Sequence, residues 1–414
     1  MDQIIKIKGG NKLSGEVTIS SSKNAAVAIL PAVVMASEVV KLYDVPNIQD
    51  VDALVTLLEY LNIKVVQDGD TFTIDPTGIQ NTILDIPEVN KLRASYYFMG
   101  ALLGRFKYVK MLSPGGCNLG PRPIDLHLKG FEALGATINT ENGFIEIKAE
   151  ELKGDHIYLD IASVGATINI MLAAIFAKGK TIIENAAKEP EIIDLSSMLN
   201  NMGASIRGAG TSEIQIEGVS RLKGCIHDII PDRIEAGTYA IMAAALDSHV
   251  RVNNVIPQHI ESMLLKLDEM GVKMEIGSDY VEIFESGKLK ACDVKTLPYP
   301  GFATDLQQPI TALMTKAEGD SHIVETIYKE RFRHCNELNL MGANIEVSNG
   351  SSTIHGGTPL HGTEVTARDL RCGAALIIAG LMAEGETIIH GAHHIYRGYS
   401  NIIEKLRGLG ATVE

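Results

Sequence analysis

Apolar and polar positions along this chain follow one arrangement that recurs six times. In each copy, apolar residues spaced three or four apart are followed by a Gly or Asn and then by an alternating strand. The copies span residues 58–65, 131–138, 199–206, 267–274, 338–345 and 406–413. Their turn residues, Asn62, Gly135, Gly203, Gly271, Gly342 and Gly410, are 73, 68, 68, 71 and 68 residues apart. Spacing this regular indicates an internal repeat.

The residues around each copy predict the rest of the repeat. An apolar helix and a β-rich run precede it, as in 169–177 followed by 181–184 and 374–383 followed by 387–390. Alternating strands such as 145–147 follow it. One repeat is therefore predicted to contain an apolar helix, a strand, an amphipathic helix and two strands. Gly and Asn readily adopt the left-handed backbone conformation of the residue that ends a helix before a strand.

The order of the repeats predicts two domains. The sixth repeat stops before its last strands, and strand-like segments 4–8 and 16–19 stand at the other end of the chain. We infer that these N-terminal strands complete the C-terminal domain. The predicted domains are 21–230 and 1–20 plus 231–414, which also suits a length of 414 residues. A cleft between two such domains is a favoured place for a small ligand.

Composition narrows the class of partner. Hydrophobic residues make up 45% of the chain, charged residues make up 21%, and the net charge is −14. This describes a globular protein and argues against nucleic acid or an anionic membrane as the main partner. An aromatic content of 5% without Trp leaves few surfaces on which bases could stack. Any bound anion would need a local cluster of Arg and Lys.

The remaining composition favours a reducing cytoplasm. The N-terminus lacks a signal-peptide pattern, and the longest apolar runs, 25–36 and 373–383, are too short to span a bilayer. Five cysteines form an odd set without CxxC spacing, so we expect neither disulfides nor a zinc site. His390, His393 and His394 lack an acidic or Cys partner at ligand spacing, which favours packed or solvated histidines over a metal site.

One segment departs from the repeat. Residues 113–123 (SPGGCNLGPRP) place Cys117 in a loop with three glycines and three prolines, which together allow close approach to a ligand in few shapes. Structural cysteines prefer apolar interiors, whereas a cysteine in a polar loop five residues before Arg122 is placed for chemistry. A thiol-hydrolase pair of Cys117 and His127 is much less favoured, because their separation says nothing about geometry. The other four cysteines are interpreted as buried small residues.

The starts of the apolar helices are the second place where the repeats differ. Helix N-termini bind anions, and pseudo-threefold symmetry would make these ends converge around the axis of each domain. The starts are the polar segments 21–24, 92–95, 162–167, 231–235, 302–305 and 368–371. Two triplets of polar helix ends facing one cleft would suit a substrate with several phosphates or carboxylates.

Single residues at these starts carry separate hypotheses. Lys23 and Arg93 stand where a cation is unfavourable with the helix dipole, so ligand binding is preferred to a structural role. Arg122 lies between two prolines, which favours its presentation to an anion. The local sequence around Asp305 suits an N-cap and a general base equally well.

With these residues in place, the chain resembles the UDP-N-acetylglucosamine 1-carboxyvinyltransferases, the enolpyruvyl transferase family of peptidoglycan synthesis. The resemblance rests on the loop and helix start 114–127 and on ordered motifs over essentially the whole chain. These motifs are Ser22-Lys23-Asn24, 163–167, Glu189-Pro190-Glu191, 231–235, Thr304-Asp305, 325–327, Arg331-Phe332, 369–371 and 394–399. The resemblance implies an α/β fold of two inside-out barrel-like domains, each built from three repeats of about 70 residues, which agrees with the repeat count.

The resemblance also implies an activity. The family transfers the enolpyruvyl group of phosphoenolpyruvate to the 3′-hydroxyl of UDP-N-acetylglucosamine and releases phosphate, the first committed step of peptidoglycan precursor synthesis. This would make the protein a cytoplasmic transferase of cell wall biogenesis, with consequences for cell shape and cell division. Its expected partners are the two small-molecule substrates, with no cofactor, metal, nucleic acid or membrane.

Site residues follow by the same resemblance. Cys117 is implied as the general acid for the methylene carbon and as the nucleophile that forms a covalent adduct, including one with fosfomycin-type epoxides. Asp305 is the implied base for the sugar hydroxyl. Lys23, Asn24, Arg122 and Arg397 would bind phosphoenolpyruvate, and Lys23 and Arg397 would also act in catalysis as fixed cations. The residues implied to contact or surround the nucleotide sugar are Asn24, Arg93, Arg122, Pro123, Ile124, Asp125, Leu126, Ser163, Val164, Gly165, Asp305 and Ile327.

Three further residues, Arg331, Asp369 and Arg371, are implied to line the cleft and assist its closure. One departure stands beside the nucleotide-sugar set, because Ile161 and Ala162 occupy positions where many family members carry a lysine.

Two alternative functions remain. A shikimate-pathway enolpyruvyl transferase would share the fold but has no reason to carry the cysteine loop. A catalytically silent paralogue that binds the UDP-sugar, or a repeat-built interaction protein, is disfavoured by the intact Lys23, Cys117, Asp305 and Arg397.

Replacing Cys117 by Ser should abolish labelling by a fosfomycin-type epoxide and strongly reduce turnover, because a serine hydroxyl is a much weaker nucleophile than a thiol. Mass spectrometry of the labelled protein would locate the adduct. Labelling that persists in Cys117→Ser would assign the reactive thiol to one of the other four cysteines.

Overall fold

The computed structural model describes residues 3–113 and 124–414. These residues form two compact units, each with its own core of buried apolar side chains. The N-terminal unit contains residues 21–113 and 124–230. The C-terminal unit contains residues 3–20 and 231–414.

Within the described residues, each unit has three four-stranded sheets with one shared topology. The first strand runs parallel to the second, and the second, third and fourth strands are antiparallel. In the N-terminal unit the orders are β14(Ile226–Asp228)-β3(Val40–Tyr43)-β5(Thr71–Asp75)-β4(Lys64–Asp68), β6(Ile83–Leu84)-β7(Tyr108–Leu112)-β9(Phe144–Lys148)-β8(Thr137–Glu141) and β10(His156–Tyr158)-β11(Lys180–Glu184)-β13(Glu213–Glu217)-β12(Ser205–Arg207). In the C-terminal unit they are β2(Ser14–Thr18)-β15(His249–Asn253)-β17(Tyr280–Phe284)-β16(Lys273–Ile276), β18(Val294–Lys295)-β19(Asp320–Val324)-β21(Ser351–His355)-β20(Asn344–Ser348) and β22(Glu364–Thr366)-β23(Glu386–His390)-β1(Ile4–Lys8)-β24(Thr412–Val413).

Helices of two kinds accompany the sheets. Apolar, almost fully buried helices open the repeats: α1(Lys23–Ala32), α4(Tyr97–Phe106), α6(Val164–Ala174), α8(Arg233–Ala245), α10(Gln307–Met314) and α12(Leu370–Met382). Amphipathic helices follow: α2(Gln49–Tyr60), α5(Asp125–Ala133), α7(Pro190–Asn201), α9(Glu261–Glu269), α11(Arg333–Leu340) and α14(Ile402–Gly408). Two short α-helices, α3(Glu88–Lys91) and α13(His393–Tyr396), and the 3-10 helices Val33–Met35, Pro76–Gly78, Arg93–Tyr96, Pro257–Ile260 and Thr304–Leu306 complete the set.

The apolar helices form the centre of each unit. Helix α4 packs against α1 and α6, while α8, α10 and α12 pack against one another. Strands such as β7 and β9 alternate between buried and less buried positions, so one face of each sheet packs inward. Helices inside and sheets outside reverse the order of an ordinary α/β barrel, as the resemblance implies.

The N-terminal strands lie in the C-terminal unit. Strand β1 pairs antiparallel with β23 and with β24, and β2 pairs parallel with β15. In the N-terminal unit, β14 takes the corresponding edge position beside β3. Each unit is therefore closed by strands that are distant in the sequence from their partners.

The repeat turns have the predicted left-handed backbone. Asn62 and the five glycines at the equivalent positions have φ between 63° and 108°. After the turn, the N–H of the next residue bonds back to the carbonyl five positions earlier, from Ile63 to Leu58 at 3.1 Å and from Ala136 to Phe131 at 3.0 Å. These bonds satisfy carbonyls at the helix end that would otherwise lack partners.

The sequence analysis missed the first strand in five of the six repeats that the structure describes. The first strands β6, β10, β14, β18 and β22 have only two or three residues. Runs this short show no period-two alternation, and each is held by a single neighbouring strand. The strand expected at 16–19 instead spans Ser14–Thr18.

No helix in the ranges 3–113 and 124–414 combines the length and apolarity needed to cross a membrane.

Close approach of α4 and α6 depends on Gly100. A Cβ placed on Gly100 would lie 2.4 Å from the Asn169 carbonyl oxygen and 2.7 Å from Asn169 Oδ1. Gly408 provides a contrast at the end of α14, because a Cβ placed there would meet nothing within 4 Å.

Gly100→Ala should therefore destabilise the protein by about 1–3 kcal/mol, the usual cost of overpacking a core. Gly408→Ala, the matched control, should be neutral or stabilising by up to about 1 kcal/mol, because Ala is the better helix former. Urea unfolding midpoints would measure both. Equal shifts for the two variants would contradict the packing argument.

Candidate functional site

Lys23 is fixed at the start of α1 by a buried carboxylate. The Ser22 side chain caps the helix by accepting from the N–H of Ala25 at 3.2 Å. Lys23 Nζ lies 3.1 Å from Oδ2 of Asp50, in the first turn of α2, and the two side chains are 15% and 4% exposed. Asn24 follows in the first turn of α1. The ammonium group therefore keeps a defined position at a helix N-terminus.

The sequence analysis missed Asp50. An aspartate in the first turn of a helix is ordinarily explained by the helix dipole, so the local sequence carries no signal of an ion pair. The pair joins residues of two consecutive helices, and only the fold brings them together.

A second cluster joins three separate segments of the N-terminal unit. We call Arg93, Tyr96, His127 and Gly165 the histidine cluster. The Arg93 guanidinium carbon lies 5.6 Å from the centre of the Tyr96 ring, whose edge-on contact with His127 has a centroid distance of 4.8 Å. A Cβ on Gly165 would lie 2.7 Å from Tyr96 Oη and 3.1 Å from His127 Nε2. The first turn of α6 therefore lies directly against both rings.

His127 is a neutral ring at physiological pH. The side chain is buried, and burial together with the nearby Arg93 charge lowers the pKa of His127 to about 3. Its Nδ1 lies 2.8 Å from Nδ2 of Asn169. The sequence analysis considered His127 as a partner of Cys117 and as part of the motif 114–127, and it did not foresee the contact with Asn169.

The other predicted residues of this unit lie at helix starts. Ile124 is the N-cap residue of α5, and Asp125 and Leu126 are its first two residues. Ser163 caps α6 by accepting from the N–H of Ala166 at 3.2 Å, and Val164 is the first residue of that helix.

Near these starts, Ile161 is 67% exposed at the position where many family members carry a lysine. Cys117, Arg122 and Pro123 lie outside the described residues.

Asp305 is held between two arginines in the C-terminal unit. Arg331 Nη1 donates to Asp305 Oδ1 at 2.8 Å, and Arg371 Nη2 donates to Oδ2 at 3.1 Å. Both arginine side chains are buried, while that of Asp305 is 24% exposed. The N-cap residues of the 3-10 helix and of α10 are Ala303 and Leu306, so the capping interpretation of Asp305 was wrong.

Charge balance explains this arrangement. Burial acts to lower the pKa of Arg331, but the charges of Asp305 and Asp369 outweigh it and the net shift is upward. Burial also opposes the charge of Arg371, which Tyr399 and Asp305 stabilise, and its pKa too is raised. The Asp305 carboxylate thus stabilises the charges of both buried guanidinium groups.

Glu325 holds the residues next to Asp305 in place. Its buried carboxylate accepts from Thr304 Oγ1 at 2.9 Å and from the backbone N–H of Ile327 at 2.8 Å. Thr304 Oγ1 in turn accepts from Arg331 Nη1 at 3.0 Å. Glu325 thereby fixes both the turn that carries Ile327 and the hydroxyl beside Asp305.

Asp369 and Arg397 stand at two further helix ends. Asp369 caps α12, accepting from the N–H of Arg371 at 2.9 Å and of Cys372 at 3.0 Å. Arg397 follows directly after α13. Burial, His393 and Arg397 together lower the pKa of His394, which places the Arg397 charge near that ring.

Each unit thus brings some of the predicted residues together. Arg93 and Gly165 meet at His127 in the N-terminal unit, and Asp305, Arg331 and Arg371 form one ion-pair group in the C-terminal unit. Within the part of the chain that the structure describes, no three His, Cys, Asp or Glu side chains are arranged to hold a metal ion.

The described cysteines differ from one another in burial. Cys292, Cys335 and Cys372 are buried as expected, whereas Cys225 is half-buried. Burial raises the pKa of Cys225 to about 11 and that of Cys335 to about 12. These thiols are therefore poor sources of thiolate at neutral pH.

Comparison with known proteins places this architecture in a family. The sequence model of EPSP synthase (3-phosphoshikimate 1-carboxyvinyltransferase) matches residues 7–406. The chain is 57% identical to UDP-N-acetylglucosamine 1-carboxyvinyltransferase 2 of Geobacillus kaustophilus (strain HTA426), over 100% of this chain and 96% of that protein. It is 56% identical to the protein of the same name from Listeria monocytogenes serotype 4b (strain F2365), over 100% of this chain and 97% of that protein.

A solved structure agrees with the fold. The crystal structure of the enolpyruvyl transferase NikO from Streptomyces tendae superposes with a TM-score of 0.91 at 26% identity, covering 100% of this chain and 98% of that one. The predicted fold class, two inside-out α/β domains of three repeats each, is confirmed.

The neutral His127 predicts an acid-sensitive stability. Its pKa is about 3 in the folded protein and near 6.5 when unfolded, so between these values the unfolded chain binds a proton that the native state does not. Stability should therefore fall as pH drops from 6.5 towards 3 and be unaffected by this group above 6.5. His127→Gln removes this contribution.

When the pH drops from 7.5 to 5, the free energy of unfolding of the wild type should fall by about 2 kcal/mol more than that of the variant. Urea unfolding at both pH values measures the difference between the two proteins. A wild-type-to-variant difference that is the same at both pH values would show that His127 is protonated in the native state.

Proposed function

The chain belongs to the enolpyruvyl transferase family, among the UDP-N-acetylglucosamine 1-carboxyvinyltransferases, and on that premise we propose that it transfers enolpyruvyl from phosphoenolpyruvate to the 3′-hydroxyl of UDP-N-acetylglucosamine, releasing phosphate. The observation that carries the proposal is the clamped Asp305, a partly exposed carboxylate held by two buried arginines. A fixed carboxylate at a helix start suits proton removal from a hydroxyl.

The proposed reaction is an addition followed by an elimination. Asp305 accepts the proton of the sugar hydroxyl while the oxygen attacks C2 of phosphoenolpyruvate, and Cys117 delivers a proton to C3. The adduct then returns a proton from C3 to the Cys117 thiolate as the C2–O bond to phosphate breaks, which restores the double bond, and the proton held by Asp305 leaves with the phosphate. Protons therefore balance, and no electron carrier is required.

Cations would stabilise the charges of both substrates. We assign Lys23, Asn24, Arg122 and Arg397 to phosphoenolpyruvate, whose carboxylate and phosphate develop charge during the reaction. The ion pair with Asp50 supports this assignment for Lys23, because it orders the ammonium group before any ligand arrives.

The nucleotide sugar would lie against the helix starts. We assign it Arg93, Ser163, Gly165 and the turn at Ile327, together with the start of α5 at residues 124–126. The start of α6 supports this, since helix N-termini favour phosphate groups and the absence of a side chain at Gly165 lets the Tyr96 and His127 rings lie against its first turn. Arg331, Asp369 and Arg371 would order the region around Asp305.

The remaining thiols support Cys117 as the reactive one. The pKa of Cys292 is raised to about 11 by burial in the first place, in line with Cys225 and Cys335. We therefore assign the general-acid role and the covalent adduct, including alkylation by fosfomycin, to Cys117. We also assign the reaction to the cytoplasm, with its product supporting wall synthesis and hence cell shape and division.

The decisive test is phosphate release from phosphoenolpyruvate with two acceptors. We expect release with UDP-N-acetylglucosamine and not with shikimate 3-phosphate, the acceptor named by the family description. Asp305→Asn keeps the shape but not the base, and should lower turnover by at least about 100-fold.

Two outcomes would overturn the proposal. Release with shikimate 3-phosphate alone would assign the chain to the other branch of the family. Binding of the UDP-sugar without any release would instead show a silent binding protein.

A further inference from the structure

Asn169 is a buried polar residue in the middle of an apolar helix. It lies between Ile168 and Ile170 in α6 and is 0% exposed. Its Oδ1 accepts from the backbone N–H of Gly100 at 2.9 Å, and its Nδ2 lies 2.8 Å from Nδ1 of His127. One side chain thus connects α4, α5 and α6.

The orientation of this amide follows from the hydrogen-bonding groups. A backbone N–H can only donate, so the atom of Asn169 that faces Gly100 must be the carbonyl oxygen. The NH₂ group is then the one that faces His127 and donates to its Nδ1. A ring nitrogen that accepts carries no proton, so the proton of the neutral imidazole is on Nε2.

The protonated Nε2 lies at the start of α6. It would be 3.1 Å from a Cβ placed on Gly165, so it stands beside the first turn of that helix. The Tyr96 ring packs edge-on against the imidazole, and the Arg93 charge acts on it. Among the described residues, the hydrogen bond of the His127 ring is the one at Nδ1.

We propose that Asn169 is a positioning residue that holds His127 in the Nε2–H tautomer, so that this N–H donates to an oxygen of the nucleotide sugar. The inference rests on the proposed function for the identity of the ligand. The opposite tautomer would turn a lone pair towards the same oxygen and repel it. An imidazolium would lie next to the Arg93 guanidinium, a pairing of like charges that burial makes costly.

Two substitutions of Asn169 separate orientation from packing. Asn169→Asp keeps an acceptor for the Gly100 N–H but cannot donate, so the His127 proton should move to Nδ1. Asn169→Leu has a similar volume and removes both hydrogen bonds, so neither tautomer should be enforced. Nitrogen-15 NMR of the histidine-labelled protein reads the tautomer directly, with the His127 signals assigned by their loss in His127→Gln.

The expected results are specific. The wild type should show a protonated Nε2, and Asn169→Asp should show a protonated Nδ1. KM for UDP-N-acetylglucosamine should rise on the order of tenfold in Asn169→Asp, the loss of one hydrogen bond to a charged or polar oxygen, with a much smaller change in kcat. Asn169→Leu should raise KM by less.

Asn200→Asp is the matched control. Asn200 also bridges backbone groups with its amide, donating to the carbonyl of Ile206 and accepting from its N–H, both at 2.9 Å, in the same unit. Its substitution should lower stability but leave the His127 tautomer and KM unchanged.

The outcomes distinguish this inference from the proposed function. A wild-type spectrum with the proton on Nδ1 overturns the inference, whatever the activity and even if Asn169→Asp does not fold. If Asn169→Asp inverts the His127 tautomer but leaves KM for UDP-N-acetylglucosamine unchanged, then Nε2 does not donate to the nucleotide sugar. An Nε2–H tautomer in a protein without enolpyruvyl transfer leaves the role of Asn169 in place and refutes the proposed function alone.

Discussion

The structure depends on burying apolar helices that no single repeat can cover. Each repeat contributes one such helix, and α8, α10 and α12 remove their apolar surfaces from water by packing against one another and against the surrounding sheets. Burial of one large apolar side chain stabilises a fold by about 1.5–3 kcal/mol, and each of these helices buries several. A repeat is therefore stable only as one of three, and the sheets serve as the outer cover of a helical centre.

This constraint confines chemistry to the helix ends. These helices carry their charged side chains in the first or last turn, while the hydroxyls of Thr238 and Thr311 in their middle donate back to carbonyls of the same segment. Ser22, Ser163 and Asp369 cap such helices, and Asp305 stands in the 3-10 turn that leads into another. Capping and substrate recognition use the same backbone N–H groups and the same kinds of side chain. The architecture and the site thus occupy the same few residues.

Asn169 is a buried amide within such a helix, and it shows the cost of leaving this pattern. An amide in the apolar interior must have partners for both of its ends, and Gly100 and His127 provide them. Because both partners are specific, the amide has one orientation, and it transmits that orientation to a ring at the helix start.

These relations mark the limit of what the sequence could predict. The repeats, the left-handed turns and the helix starts were readable because each is a local pattern, such as the spacing of Gly203 from Gly271. The Lys23–Asp50 pair and the two arginines around Asp305 were not, because they depend on distances between helices. The single amide residue in Ile168-Asn169-Ile170 was a usable signal of a specific buried contact, since a buried amide in an apolar helix rarely lacks a hydrogen-bond partner.

The pairing of Ile7 with Val413 sets an order for folding during synthesis. At about 5–20 residues per second, a ribosome needs roughly 20–80 s to make the chain between these partners. Strand β1 lacks β23 and β24 until the end of synthesis, and β2 lacks its partner until β15 has been made, whereas the N-terminal unit is already complete once β14 emerges. A nascent chain would therefore carry a finished first unit, preceded by two strands with open edges, a state exposed to pairing with other chains.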